Sequence, residues 1–339
     1  MLTHGNFTTT VTPLLKQSIK ILLLPFWLGL WCFALGLLCW YLLRGWPGDR
    51  LYPVRLLNYF TPWLLFGLLP GLTAAVLARR YSLATALALP AVLISLTYAP
   101  LFLPRAPIAL AADTPLKVMS YNIWGRNQKL DEAMAIIQQE QPDILLLQEA
   151  YWPTGASLSI ALANLYPDTK IYTAYEPDMG QLIISRYPLT PVETSFQKGR
   201  AQKVWANTPK GPIAVWNVHP FQPSLWRKQY RQFESLANDI ACTKTPLIVG
   251  GDFNTTEQAQ NYRLINQHLS NAHWEAGWGF GFSFPAHNPT YKQIPIITPM
   301  VRIDHIFYSN HFFARSAQTL ATSGGSDHLP ITAELSLIE

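Results

Sequence analysis

Apolar side chains fill three long runs between residues 19 and 103, whereas beyond residue 115 they fall into short clusters separated by polar ones. Ile19–Leu43 carries one cation, Lys20, and no acid. That is long enough to cross a hydrocarbon core, which needs roughly 20 residues of helix. Two further runs, Leu56–Ala78 and Ser82–Leu103, lie on either side of Arg79-Arg80 and contain Pro62, Pro70, Pro90 and Pro100, which helices in lipid tolerate. The pattern predicts about three transmembrane helices within residues 1–103, with Trp40, Tyr41 and Trp46 at an interface. A secretory leader fits less well, because its apolar stretch would be shorter and two more would not follow it. Pro104–Pro115, proline-rich and without periodicity, is expected to be a linker, and residues 116–339 a separate soluble domain.

In the soluble part the period changes. Leu116–Asn122 is a β-prone run, after which Leu130, Ala133, Met134 and Ile137 recur at helical spacing up to Pro142. Asp143–Glu149, Gln181–Ser185, Ile213–His219 and Leu247–Gly251 are short apolar runs, and Trp226–Ile240 is helical in pattern. Strands alternating with helices predict α/β layers. The polar residues at the ends of these runs are more informative. Asn122, Glu149, His219 and Asp252 each close an apolar run, and Asp327-His328 precede the last one, Ile331–Leu337. If that last strand runs opposite to the others, all six side chains meet at one sheet edge, where α/β folds hold their chemistry.

Charge separates the same two parts. Residues 1–112 hold eight bases and a single acid, Asp49, while residues 113–339 hold seventeen bases and nineteen acids. The formal +5 of the chain therefore flanks the apolar helices, and the soluble domain is near −2. Three cysteines, two of them inside the first apolar run, exclude a disulfide framework or a thiolate metal site.

The ordered series Ser120-Tyr121-Asn122, Gln148-Glu149, Asn217-Val218-His219, Gly251-Asp252-Phe253-Asn254, Arg302-Ile303-Asp304-His305 and Ser326-Asp327-His328-Leu329-Pro330 resembles the endonuclease/exonuclease/phosphatase superfamily. This group includes deoxyribonuclease I, apurinic endonucleases, neutral sphingomyelinases and inositol polyphosphate phosphatases. The resemblance spans about Leu116 to Leu337, and Gly180–Pro188 matches a supporting segment. It implies a four-layer α/β sandwich, two mixed β-sheets packed face to face and flanked by helices.

The resemblance also assigns roles. Glu149 is the main ligand of Mg²⁺ or Mn²⁺, hard ions suited to oxygen donors, with Asp327 and Asn122 beside it. Asp252 and Asn254 orient or deprotonate the attacking water and hold the phosphate. His328 contacts the scissile phosphate, its ring fixed by Asp304, and His219 touches the phosphate or the leaving group. These are the tasks phosphoester hydrolysis requires: an in-line water, neutralised phosphoryl oxygens and a stabilised leaving group. His305, next to Asp304 on a strand, should face the other way and be structural. One departure stands at Ser283-Phe284-Pro285, where relatives carry Thr-Trp-Pro. His273, His287 and Cys242 receive no role, and the aromatic stretch Trp274–Phe284 is a candidate for the substrate mouth.

The expected activity is hydrolysis of a phosphodiester or phosphomonoester by a membrane-anchored, metal-dependent enzyme. A nuclease acting on DNA or RNA is the alternative within the class, and a catalytically silent membrane scaffold the alternative outside it. A transporter is a weak reading, since the apolar helices offer no intramembrane relay. A nuclease that tracks long DNA gains affinity from surplus Lys and Arg, which this domain lacks, so a small or lipid-borne phosphoester is favoured. No obligate protein partner is evident. Lys16, Lys20, Arg79 and Arg80 oppose Arg44, Arg50, Arg55 and Arg105 across the helices, and precedence of the first helix predicts a cytoplasmic N-terminus and an extracytoplasmic hydrolase.

Overall fold

The computed structural model describes residues 13–103, 114–163, 170–192, 201–286 and 299–338. Most of the expected linker, and His287, lie outside these. The chain divides into two compact units, Met1–Gly48 with Thr61–Thr97, and Asp49–Phe60 with Tyr98–Glu339.

Among the described residues the first unit is helical. Lys20–Leu43 and Tyr81–Phe102 are each long and apolar enough to cross a membrane. The second expected crossing, Leu56–Ala78, is not one straight helix. It is broken into Tyr52–Tyr59 and Thr61–Leu77, bent by 78°, so the described residues hold two candidate spans, or three if the bent pair counts as one. The break has a local cause: Pro62 has no N–H to offer and disfavours helix in the residue before it, and a 3₁₀ turn at Thr61–Trp63 takes up the change of direction. Within the unit, Gly67 lies against the Phe33 ring and Gly71 against Leu30, the close approach that small residues give apolar helices.

The second unit holds two six-stranded sheets. One is formed by β1 (Leu116–Asn122), β2 (Ile144–Gln148), β3 (Tyr172–Glu176), β4 (Gln181–Ser185), β11 (Phe312–Thr319) and β12 (Ile331–Leu337). The other is formed by β5 (Leu189–Pro191), β6 (Ala201–Thr208), β7 (Gly211–Val218), β8 (Leu247–Asp252), β9 (Ser270–Asn271) and β10 (Asp304–Tyr308). Their inner faces share one apolar layer in which Val118, Ile144 and Ile183 of the first sheet meet Val215, Ile248 and Ile306 of the second. Helices 130–140 and 154–162 cover the outside of the first sheet, helices 226–242 and 260–266 that of the second. This is the four-layer sandwich with two mixed sheets that the resemblance implies.

Strand direction sets up the site. β1 runs parallel to β2 and antiparallel to β12, with Ser120 opposite Ile331. β7 runs parallel to β8, and β10 returns antiparallel with Asp304 paired to Asp252. The C-terminal ends of β1, β2, β7 and β8 therefore share an edge with the N-terminal ends of β10 and β12.

Candidate active site

Each candidate side chain is positioned by the backbone at a strand end. Glu149 follows β2 at φ 57° and Asn254 lies two residues past β8 at φ 50°, both in the left-handed region that residues with a side chain seldom occupy. Such conformations cost about 1–3 kcal/mol each and persist where their surroundings over-determine them. Here Glu149 Oε2 accepts the Gly125 N–H at 2.9 Å, and the Asn254 N–H donates to Asp252 Oδ1 at 2.8 Å. The double glycine before Asp252 allows two close approaches. A Cβ on Gly250 would lie 2.6 Å from Leu146 Cδ1 of the facing sheet, and one on Gly251, at φ 153°, only 2.0 Å from the Val218 carbonyl oxygen.

Asp252 Oδ2 is the hub. It lies 3.5 Å from His219 Nε2 and 3.7 Å from His328 Nε2, and Asn122 and Asn254 reach it through their Nδ2 atoms at 3.1 and 3.4 Å. Asn122 also reaches Glu149 Oε1, 3.3 Å away, and His219 Nε2 is 4.0 Å from the same oxygen. His328 Nδ1 pairs with Asp304 Oδ2 at 2.9 Å. Ser326 ties the last loop to this edge, donating to the Asn122 carbonyl at 2.6 Å while accepting the His328 N–H at 3.0 Å. Asn122, Glu149, His219, Asp252, Asn254, Asp304, Asp327 and His328 are thus all brought to one edge, though they span some two hundred residues of sequence.

Four carboxylates crowd into this buried edge. Burial pushes Asp252 above the usual carboxylate range, with His328 opposing the shift and Asp304 adding to it. Burial raises Asp327 to about 6 against the pull of His328, and the Glu149 charge adds to the rise. For Glu149 burial acts upward too, but the Gly125 N–H and His219 outweigh it and hold the group below its usual value. Burial disfavours charge on His328, yet Asp304 and Asp252 override it and carry the ring up to about 10. A protonated His328 leaves the four acids with a surplus of negative charge.

That surplus fits a cation. Asp252, Asp304 and His328 present ligand atoms within 4.8 Å of one another, a buried group that could hold a metal ion. In that group, however, His328 Nδ1 and Asp304 Oδ2 already share a hydrogen bond. Asp327 Oδ1, by contrast, is a buried carboxylate oxygen without a hydrogen-bond partner among the described residues. It shares its acid environment with Glu149, so oxygen donors for a hard cation also stand on that side.

Some supporting residues were not foreseen from the sequence. Ser283 donates its hydroxyl to Asp304 Oδ2 at 2.6 Å, and the Phe284 ring lies 4.7 Å from that of His328, so the departure from Thr-Trp keeps a hydroxyl and an aromatic where they are used. Elsewhere in the aromatic stretch, Phe280 packs against Tyr98 and Phe102. Beneath the site, Gln148 donates to Asn217 Oδ1 at 2.8 Å and Gln181 to the Asn217 carbonyl at 3.0 Å, which stitches the two sheets together. A glutamine inside an otherwise apolar run was the available signal. His305 is buried with Nε2 2.9 Å from the Thr255 carbonyl and Nδ1 3.3 Å from Asn271 Nδ2, the pairing of a neutral ring. His273 Nε2 meets the Gly279 carbonyl at 2.9 Å and holds a loop, and Cys242 is exposed.

The sequence profile described as the Endonuclease/Exonuclease/phosphatase family matches residues 119–328, more than half of the chain. Among curated proteins no match was found. Similar solved structures include an endonuclease/exonuclease/phosphatase family protein from Bacteroides thetaiotaomicron at 19% identity and TM-score 0.52, covering 67% of this chain and 99% of that one. A mannosyl-6-phosphatase of the same organism has 17% identity and TM-score 0.50, covering 66% of this chain and 100% of its own. TDP2 of D. rerio, complexed with a single-strand DNA product, has 14% identity and TM-score 0.52, with coverage of 66% and 100%. At these identities the likeness establishes the fold.

Proposed function

The chain belongs to the endonuclease/exonuclease/phosphatase family, and from that premise we propose that it is a membrane-anchored, divalent-metal-dependent phosphoesterase acting on a small or lipid-borne phosphoester. The observation that carries the chemistry is the convergence of His219, His328, Asn122 and Asn254 on one oxygen of Asp252. Asp252, its carboxyl raised by burial, orients the attacking water and takes its proton. His328, charged and held by Asp304, meets the negative charge that grows on the phosphoryl oxygens. Asn254 holds the phosphate, and His219 stands by the leaving oxygen. Glu149, with Asp327 and Asn122, would hold Mg²⁺ or Mn²⁺, which neutralises phosphoryl charge when bound.

The family's chemistry allows either a sugar phosphate or DNA, the compounds named for two of the similar structures. Against a DNA-tracking enzyme stands the charge of residues 113–339, seventeen bases to nineteen acids. For a lipid-borne substrate stand the apolar helices in the same chain. The test offers the full-length protein, with Mg²⁺ or Mn²⁺, a panel of duplex DNA, RNA, sphingomyelin, phosphoinositides, mannose 6-phosphate and bis(p-nitrophenyl) phosphate. Metal-dependent turnover of a lipid or small phosphoester, lost in Asp252→Asn, is expected. Rapid cleavage of duplex DNA with no action on the others would overturn the substrate reading.

The domain is oriented outside the cytoplasm in this reading. An alkaline phosphatase fused to the C-terminus should be active, and an inactive fusion beside a working cytoplasmic fluorescent reporter would reverse it.

A further inference from the structure

Asp49 is the single acid in the first 112 residues, and it is buried rather than set out toward water. Both its oxygens are engaged. Oδ1 accepts Asn58 Nδ2 at 2.6 Å, and Oδ2 accepts the backbone N–H of Gln260 at 2.5 Å, the first residue of the helix Gln260–Asn266. A carboxylate on the unsatisfied N–H of a helix start is favourable in both hydrogen bonding and charge. Ten residues further on, the Tyr59 hydroxyl donates to the Asn254 carbonyl at 2.6 Å, and Thr256 Oγ1 donates to the Asn58 carbonyl at 3.3 Å. Segment 49–59 is therefore hydrogen-bonded to both ends of the loop 254–260, within one compact unit.

That loop begins with Asn254. Its peptide is gripped on every side: the N–H by Asp252 Oδ1 at 2.8 Å, the carbonyl by Gln229 Nε2 at 2.9 Å and by Tyr59. The left-handed backbone that aims the Asn254 side chain at Asp252 needs such over-determination to persist. A hydroxyl supplied from nearly two hundred residues away, at the end of the helix Tyr52–Tyr59, is part of it. We propose that Tyr59 is a positioning residue for Asn254, so that the stretch Asp49–Tyr59, which reaches into the second apolar run, takes part in setting the catalytic geometry. The inference rests on the reading of Asn254 as a phosphate-holding group.

The experiment uses the full-length protein in lipid nanodiscs, with bis(p-nitrophenyl) phosphate and Mg²⁺ as the probe. It compares Tyr59→Phe, Asn254→Ala and the double variant. Tyr59→Phe removes one hydroxyl and keeps the ring, so the melting temperature should hold. Amide exchange over residues 254–260 should accelerate, and kcat should fall about tenfold with KM nearly unchanged, as for a misplaced group that acts in the transition state. In the Asn254→Ala background the same change should cost nothing further in kcat. Wild-type exchange and kcat in Tyr59→Phe would overturn the proposal, as would faster exchange with unaltered kcat, or additive losses in the double variant. The two readings fail separately. Absence of metal-dependent turnover, or full activity in Asp252→Asn, strikes the proposed function, whereas exchange at 254–260 reports on Tyr59 without turnover.

Discussion

Within β8, Ile248 faces the dry layer between the sheets, and four residues later Asp252 ends the same strand among histidines and amides. The two positions are equally buried and differ in what holds them. Around Ile248 the neighbours are Val118, Ile306 and other apolar groups, whose attraction is non-directional and tolerates swaps of similar volume. Around Asp252 the contacts are polar and directional, and burying that carboxylate opposes folding. The interior supplies stability, and the edge draws on it to hold groups in an arrangement they would not adopt alone. Substitution should therefore separate the two.

The largest effect is expected at the edge. Asp252→Asn keeps the shape and removes the proposed base, so activity should drop by ~10³-fold while the melting temperature stays level or rises. A comparable loss of melting temperature would erase the distinction between the regions. Next comes the interior: Ile248→Ala should destabilise by about 2–5 kcal/mol, with turnover per folded molecule retained. A collapse of kcat in the protein that remains folded would mean that the dry layer tunes the site directly.

The smallest effect sharpens the border between the regions. Burial, with Arg302 nearby, holds the His305 ring well below its usual pKa, so it is neutral in the fold and can protonate once unfolded. Its contribution to stability is thus full above the unfolded value of about 6.5 and is lost as pH falls below it, by roughly 1 kcal/mol over the first unit. Thermal melts of wild type and His305→Gln between pH 7.5 and 5.5 should differ by that slope, and parallel curves would remove His305 from the account.

Much of this edge was legible beforehand because apolar runs of strand length ended in Asn122, Glu149, His219 and Asp252. The apolar run that marks a strand also fixes where it stops, and a reversed last strand was the condition under which Asp327-His328 join the others. What stayed hidden was non-local or weakly patterned. β6 and β11 mix buried and exposed positions with Lys203, Arg315 and several small polar residues, so their periodicity is faint. The bend after Tyr59 lay inside a run that composition alone reads as continuous. Ser283 on Asp304, and Tyr59 on Asn254, are contacts between distant segments that no local pattern encodes.

The left-handed backbones at Glu149 and Asn254 have a consequence for how such a protein would change under selection. Glycine adopts that conformation without penalty, so Glu149→Gly and Asn254→Gly each relieve steric conflict that the native side chain imposes. A directed-evolution screen that scored heat resistance alone would be drawn toward glycine at these two codons and would harvest sturdier, inert proteins. Alternating rounds of heat and turnover would hold both positions against that drift.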